Sequence, residues 1–168
     1  MHPHRERNAK DIEATLRIES VFIRKPRLSF AEALEEYRKI EADLVKQALD
    51  DADEYAAIET KRRIAEWILQ YALHSEQPFG VCEKAWNHLL AVGFTDLDKK
   101  CTMTCVYADC CWETEQDEVG LAVVEPVIAE LEQWLAETML PSKWASHCEM
   151  NLAALRKRRD ALKAGLQE

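Results

Sequence analysis

At 168 residues the chain fits one domain, with 48% apolar residues to build a core and 32% charged residues, above the usual quarter. Four glycines and five prolines are too few for the many tight turns of a sandwich or barrel, which argues against those all-β classes. The net charge of −9 is unevenly spread: residues 1–27 carry +3, residues 28–142 carry −15 and residues 143–168 carry +3.

No run of 18 apolar residues is present, so no membrane span is expected. The opening MHPHRERNAK lacks the apolar core of a secretory signal. A cytoplasmic, reducing location follows as the expectation, with the six cysteines kept as thiols. Residues 1–10 read as a flexible basic arm and residues 11–168 as a single all-helical domain.

The first helical segment carries Ile12, Leu16, Glu19 and Ile23 at helical spacing, and RKPR at 24–27 ends it, since Pro26 cannot continue the ladder. Ser29 with Glu32 forms a capping-box signature. Behind it Phe30, Leu34, Tyr37, Ile40, Leu44 and Ala48 mark one face of a helix running to about Leu49. A third helix follows, capped by Asp51 or Asp53, with Ile58, Ala65, Ile68, Leu69 and Ala72 as its stripe. Trp67 and Tyr71 lie beside that stripe, and Glu59 and Arg63 form an i,i+4 pair. After the HSEQP break, Cys82, Ala85, Trp86 and Leu89 share one side of a fourth helix that Gly93 stops.

Thr95 is the expected cap of the fifth helix. On that helix Leu97, Cys101, Cys105, Ala108 and Trp112 make one stripe, and Met103, Val106 and Cys110 make another. A helix apolar on more than one face sits between others, so this is read as the central helix of the domain. In the sixth helix Val124, Val127, Ile128, Leu131, Trp134 and Leu135 keep the period. Pro126 either kinks this helix or starts it, and the continuous period through Val119, Val123 and Val127 favours the kink. Pro141 and Ser142 open a seventh helix whose stripe is Trp144, Cys148, Leu152, Leu155 and Leu162, broken by Arg159 and stopped near Gly165.

About seven helices joined by short connections give an all-α fold, a compact antiparallel bundle or stacked helical hairpins. A tetratricopeptide repeat fails as a template: Trp86 and Leu89 match its opening W-x₂-L, but the following positions do not.

The segment CTMTCVYADCC concentrates four thiols within eleven residues. On a helix turning about 100° per residue, Cys101 and Cys105 lie about 40° apart, whereas Cys110 and Cys111 point elsewhere. The four cannot converge on one tetrahedral ion. A metal site would need Cys101 and Cys105 with His147 and Cys148, or with Cys82 or His88. A redox role would rest on Cys101 beside Lys99 and Lys100. The plainer reading is six small buried hydrophobes, with no metal and no cofactor. The chain carries no G-x-S-x-G, P-loop, dinucleotide fingerprint or H-E-x-x-H motif, so no enzyme activity is expected.

The basic ends raise nucleic-acid binding as an alternative, but the acidic middle opposes it and no recognition motif accompanies them. Docking of the basic ends on the acidic middle, within the fold or between copies, accounts for them better, and a homodimer is compatible with that. The remaining class is a non-enzymatic acidic module that binds a basic protein. Inhibitors, immunity or antitoxin proteins and chaperones share this profile. Contacts are expected from acidic faces: Glu32, Glu35, Glu36, Asp50, Asp51 and Asp53, or Glu113, Glu115, Asp117 and Glu118. Most of the five tryptophans fall on core stripes, and any that are exposed are candidate interface anchors.

Overall fold

The computed structural model describes residues 9–139 and 142–167. Among these lie seven α-helices and no strand: α1 Ala9–Ile23, α2 Phe30–Asp50, α3 Glu54–His74, α4 Phe79–Val92, α5 Leu97–Glu113, α6 Asp117–Glu137 and α7 Ser142–Gly165. The fold is all-α, as the composition and periodicity predict. Of the expected basic arm, residues 1–8 and Pro141 of the α7 start signal lie outside the described residues, while Ala9 and Lys10 are helical.

Each helix packs on the next, and short connections make each neighbouring pair antiparallel. The odd-numbered helices also touch one another in series, α1 with α3, α3 with α5 and α5 with α7. These run parallel: Thr15 meets Arg63, Glu66 meets Lys99, Asp98 meets His147 and Asp109 meets Arg158. No contact joins α2 to α4 or α4 to α6. Of the two expected arrangements, the molecule is therefore a stack of helical hairpins, with a continuous odd row and separate even helices lying against it.

Local chemistry sets most helix starts. Ser29 and Glu32 close a reciprocal capping box on α2. Asp53 caps α3 by accepting from the Ala56 amide at 3.0 Å. Asp96, not Thr95, caps α5 by accepting from the Lys99 amide at 2.8 Å; the Thr95 hydroxyl instead donates to Glu59. Glu59 pairs with Arg62 at 2.8 Å rather than with Arg63, whose guanidinium reaches across to Thr15 of α1. Pro126 lies inside one continuous α6, as the period favours.

The core runs through the odd row. Tyr37, Ile64, Leu69, Tyr71, Leu89, Met103, Tyr107, Leu131, Leu155 and Leu162 are all fully buried. Helix α5 touches α3, α4, α6 and α7, and its buried side includes five thiol and methyl-bearing side chains: Cys101, Met103, Cys105, Cys110 and Cys111. Its central position matches the expectation. Where α5, α6 and α7 meet, Gly120 lets the backbones close: an added Cβ would lie 2.8 Å from a Leu162 methyl and 3.0 Å from Cys111 Cβ.

Three expectations about faces fail, the first being Ile58, which is placed on the α3 stripe by its spacing but is exposed. On α1 the stripe Ile12, Leu16, Ile23 points outward, and Ile18 and Val21 are the buried residues, flanked by Ala14 and Phe22. Of the tryptophans only Trp86 is buried, stacked on Tyr107 with ring centroids 4.7 Å apart, while Trp67 is half-buried. Trp112, Trp134 and Trp144 are exposed, Trp112 beside Lys157 and Arg158 of α7.

Candidate protein-binding site

The basic ends are largely engaged inside the fold. Lys10 and Arg17 of α1, and Arg24 just past its end, face Asp51 at the α2 C-cap, Asp43 and Glu36 along an antiparallel seam. On α7, Arg156 meets Glu132, Lys163 meets Glu125, and Arg158 holds Asp109 of α5 with two hydrogen bonds of 2.9 and 3.1 Å. These ends therefore dock on acidic middle helices of the same chain.

The same bonds account for most of the first group of predicted contact acids. Glu32 belongs to the capping box and is held below the usual carboxylate range by the Ser29 amide and hydroxyl. Glu35 pairs with Lys39, which lowers its pKa in the same way. Glu36 lies between Arg24 and Lys39, Asp51 binds Lys10, and Asp53 caps α3. Asp50 is exposed at the end of α2.

The second group comes together differently. Glu113 ends α5, Glu115 occupies the α5–α6 connection, and Asp117 and Glu118 open α6. Beside them lies an open hollow of about 500 Å³ lined by Leu73, His74, Glu76, Gln77, Glu113 and Thr114. It brings the C-terminal ends of α3 and α5 side by side, where helix dipoles present partial negative charge. Among the described residues, no Lys or Arg lies within ion-pair distance of Glu76, Glu113, Glu115 or Glu118. Asp117 faces inward: it lies against Gly165, with one carboxylate oxygen buried and unpartnered.

Glu76 was not singled out in the sequence, and its backbone shows why it belongs here. Glu76 and Glu115 have φ of 53° and 57°, a left-handed conformation that glycine adopts more easily. Both follow the same helix ending: the Gln77 amide bonds the Ala72 carbonyl at 3.1 Å, and the Gln116 amide bonds the Cys111 carbonyl at 2.8 Å. Ala52, with φ 57°, repeats this ending between α2 and α3. A sequence signal existed in the spacing, since each connection is three or four residues long, but nothing marked the glutamates as left-handed.

The thiols form two groups rather than one. Cys82 of α4 donates its thiol proton to the Gln77 carbonyl at 3.6 Å and lies within electrostatic reach of Cys110 of α5, whose own thiol is pushed up by that neighbour and by burial. Cys101 lies within electrostatic reach of Cys105 and Cys148. All six are free and buried. Burial pushes Cys101 and Cys111 up to about 12 and raises Cys105 and Cys148. Lys99 and Lys100 do not activate Cys101, being turned to Glu66 and Glu130. His147 is exposed and bonds Asp98 at 2.6 Å. Among the described residues no group of three or more His, Cys, Asp or Glu is placed to hold a metal ion. Cys101, Cys105, His147 and Cys148 are thus not assembled as a metal site.

Glu66 is the buried charged residue of the α3–α5 seam, 3.7 Å from Lys99. Burial raises its pKa, opposed by Lys99 and Arg63.

By class, the molecule is a serial stack of helical hairpins with an acidic corner. Comparison with protein-family models, with curated proteins and with solved structures returns no match. Among the described residues no helix is long and apolar enough to cross a membrane.

Proposed function

We propose that this chain is a non-enzymatic, acidic α-helical module that binds a basic segment of another protein, as an inhibitor, an immunity- or antitoxin-type partner, or a chaperone-type escort. The observation that carries the reading is the corner of Glu76, Glu113, Glu115 and Glu118. Among the described residues none of the chain's own Lys or Arg pairs with these four carboxylates, so the corner is negative. Two of its glutamates stand on left-handed backbone, a conformation that favours glycine and that recurs at functional positions. A partner lysine or arginine entering the hollow beside Glu113 would meet carboxylates and helix C-termini together. Such attraction speeds encounter and makes binding salt-dependent.

The test is affinity capture at low salt with the wild-type chain and with Glu113→Lys/Glu115→Lys, followed by mass spectrometry. The expected result is a basic partner held by wild type, released between about 0.1 and 0.5 M salt as screening shortens to a few ångströms, and lost from the variant. Partners that are neutral or acidic, or insensitive to salt, would refute the reading.

A further inference from the structure

Helix α1 is the end of the hairpin row and touches only α2 and α3. It is nevertheless apolar on two faces. Ala14, Ile18, Val21 and Phe22 pack inward, while Ile12, Leu16 and Ile23 form a second stripe, exposed by 49%, 61% and 70%. A terminal helix with solvent on its far side has no use for that second stripe, and helices of this pattern lie between partners.

The other end of the row does not match it. The outward stripe of α7 reads Ser146, Glu149, Met150, Ala153, Lys157 and Asp160, all exposed, with Met150 as its one large apolar side chain among charges. Head-to-tail addition of copies would therefore set aliphatic side chains against charges. Self-complementary pairing is what remains, and the charges bordering the stripe fix its direction. Glu13 flanks it in the first turn, and Arg24, just past the helix end, continues that flank if the 100° step is extended and reaches toward Glu36 of α2. Glu13 has no ion-pair partner among the described residues, and Arg24 reaches Glu36 only at 3.8 Å with its side chain 44% exposed. Two α1 helices running antiparallel about a two-fold axis place Ile12 opposite Ile23 of the second copy and bring each Glu13 beside the other copy's Arg24. A parallel pair would set Glu13 against Glu13.

We infer that the outer face of α1 is the interface of a two-fold homodimer, with antiparallel α1 helices joined through Ile12, Leu16 and Ile23. One pair of four-turn helices covers less than the usual interface of about 1,200–2,000 Å², so the dimer is weak, with Kd on the order of 10 μM or above. Glu19, on the opposite flank near the two-fold axis, faces its own mate and weakens the association further. This interface is separate from the acidic corner and stands independently of it.

Sedimentation equilibrium of the full chain over about 1–200 μM, a range bracketing that Kd, tests the inference. Wild type should pass from monomer to dimer mass. Leu16→Glu, an exposed position whose change leaves the helical signal intact, should stay monomeric throughout. Glu13→Lys should weaken dimerisation up to about thirtyfold, the scale of the two symmetry-related exposed pairs it removes; adding Arg24→Glu should restore it, and Glu19→Gln should tighten it. A wild type monomeric at every concentration, a Leu16→Glu protein that dimerises like wild type, or a charge swap that fails to restore association would each overturn the assignment.

Discussion

Replacing Glu76 and Glu115 by glycine should make the protein more stable and less able to hold its partner. Both residues sit at left-handed φ, 53° and 57°. A left-handed L-residue costs roughly 1–2 kcal/mol. Glycine removes that cost but returns about 0.5–1 kcal/mol through its freer unfolded chain, so each change should add about 0.5–1 kcal/mol. At this chain length 1 kcal/mol moves Tm by about 2–4 °C, and the double variant should melt a few degrees higher. Ala52 separates backbone from charge, because it has the same φ of 57° and no carboxylate. Ala52→Gly should raise Tm as much as either glutamate change and leave capture untouched, whereas Glu115→Ala should weaken capture with no gain in Tm. Calorimetry with the capture assay reads both quantities. A lower Tm for Ala52→Gly would refute the backbone reasoning. Unchanged capture by Glu76→Gly/Glu115→Gly would refute the role given to the corner.

Gly120→Ala should destabilise by about 1 kcal/mol: helix propensity favours alanine by about 1 kcal/mol, but crowding against Leu162 and Cys111 costs about 1–3 kcal/mol. In a Leu162→Ala background the same change should become neutral or stabilising, and additivity of the two in denaturant unfolding would show that the helices are not in contact there. Asp96→Ala should cost about 1 kcal/mol as loss of a true N-cap, while Thr95→Ala should cost clearly less; equal losses would return the cap to Thr95. Glu66→Gln should raise Tm at pH 7. Burial raises the folded pKa of Glu66 above its unfolded value, so its ionised form opposes folding above that pKa and its neutral form does not below it. The gain should fade as pH falls through the ordinary carboxylate range, and a gain independent of pH would exclude this cause.

What could be read from the sequence was whatever depends on neighbours along the chain. The Ser29–Glu32 box, the Asp53 cap, the Gly93 stop and the stripe from Tyr37 to Ala48 each need only a few consecutive residues, and all are present. Where two local solutions compete, the distant partner decides. Arg63 lies one turn from Glu59, but Thr15 of α1 draws it away and leaves Glu59 to Arg62. Thr95 and Asp96 are both good caps, and the carboxylate takes the Lys99 amide. On α1 periodicity found a real stripe and could not say that a second one, Ile18 and Val21, faces the core. The cysteine angles on α5 were legible, since a helix forces Cys110 and Cys111 away from Cys101. That Cys82 would meet Cys110 was not, because the crossing of α4 and α5 is set by packing.

The charge pattern can be followed from sequence to surface. Among the described residues much of the positive charge at each end is turned inward, because α1 lies along α2 and α7 lies along α6 and α5: Lys10, Arg17, Arg24, Arg156, Arg158 and Lys163 each face a carboxylate. Neutralising those carboxylates takes up that charge and leaves the middle's excess on other elements. The row of helices has two edges, and α3, α4, α5 and α6 turn at the same one through connections 75–78 and 114–116. Glu76, Glu113, Glu115 and Glu118 collect there; Arg27 reaches the His74 carbonyl and Gly165 lies against Asp117, but no Lys or Arg pairs with these four carboxylates among the described residues. A chain needing only solubility would gain as much from carboxylates on helical backbone. Here two of them occupy positions that favour glycine, and the clustering raises mutual repulsion. A basic partner relieves that repulsion, so binding there should raise Tm most at low salt, where the corner's self-repulsion is least screened.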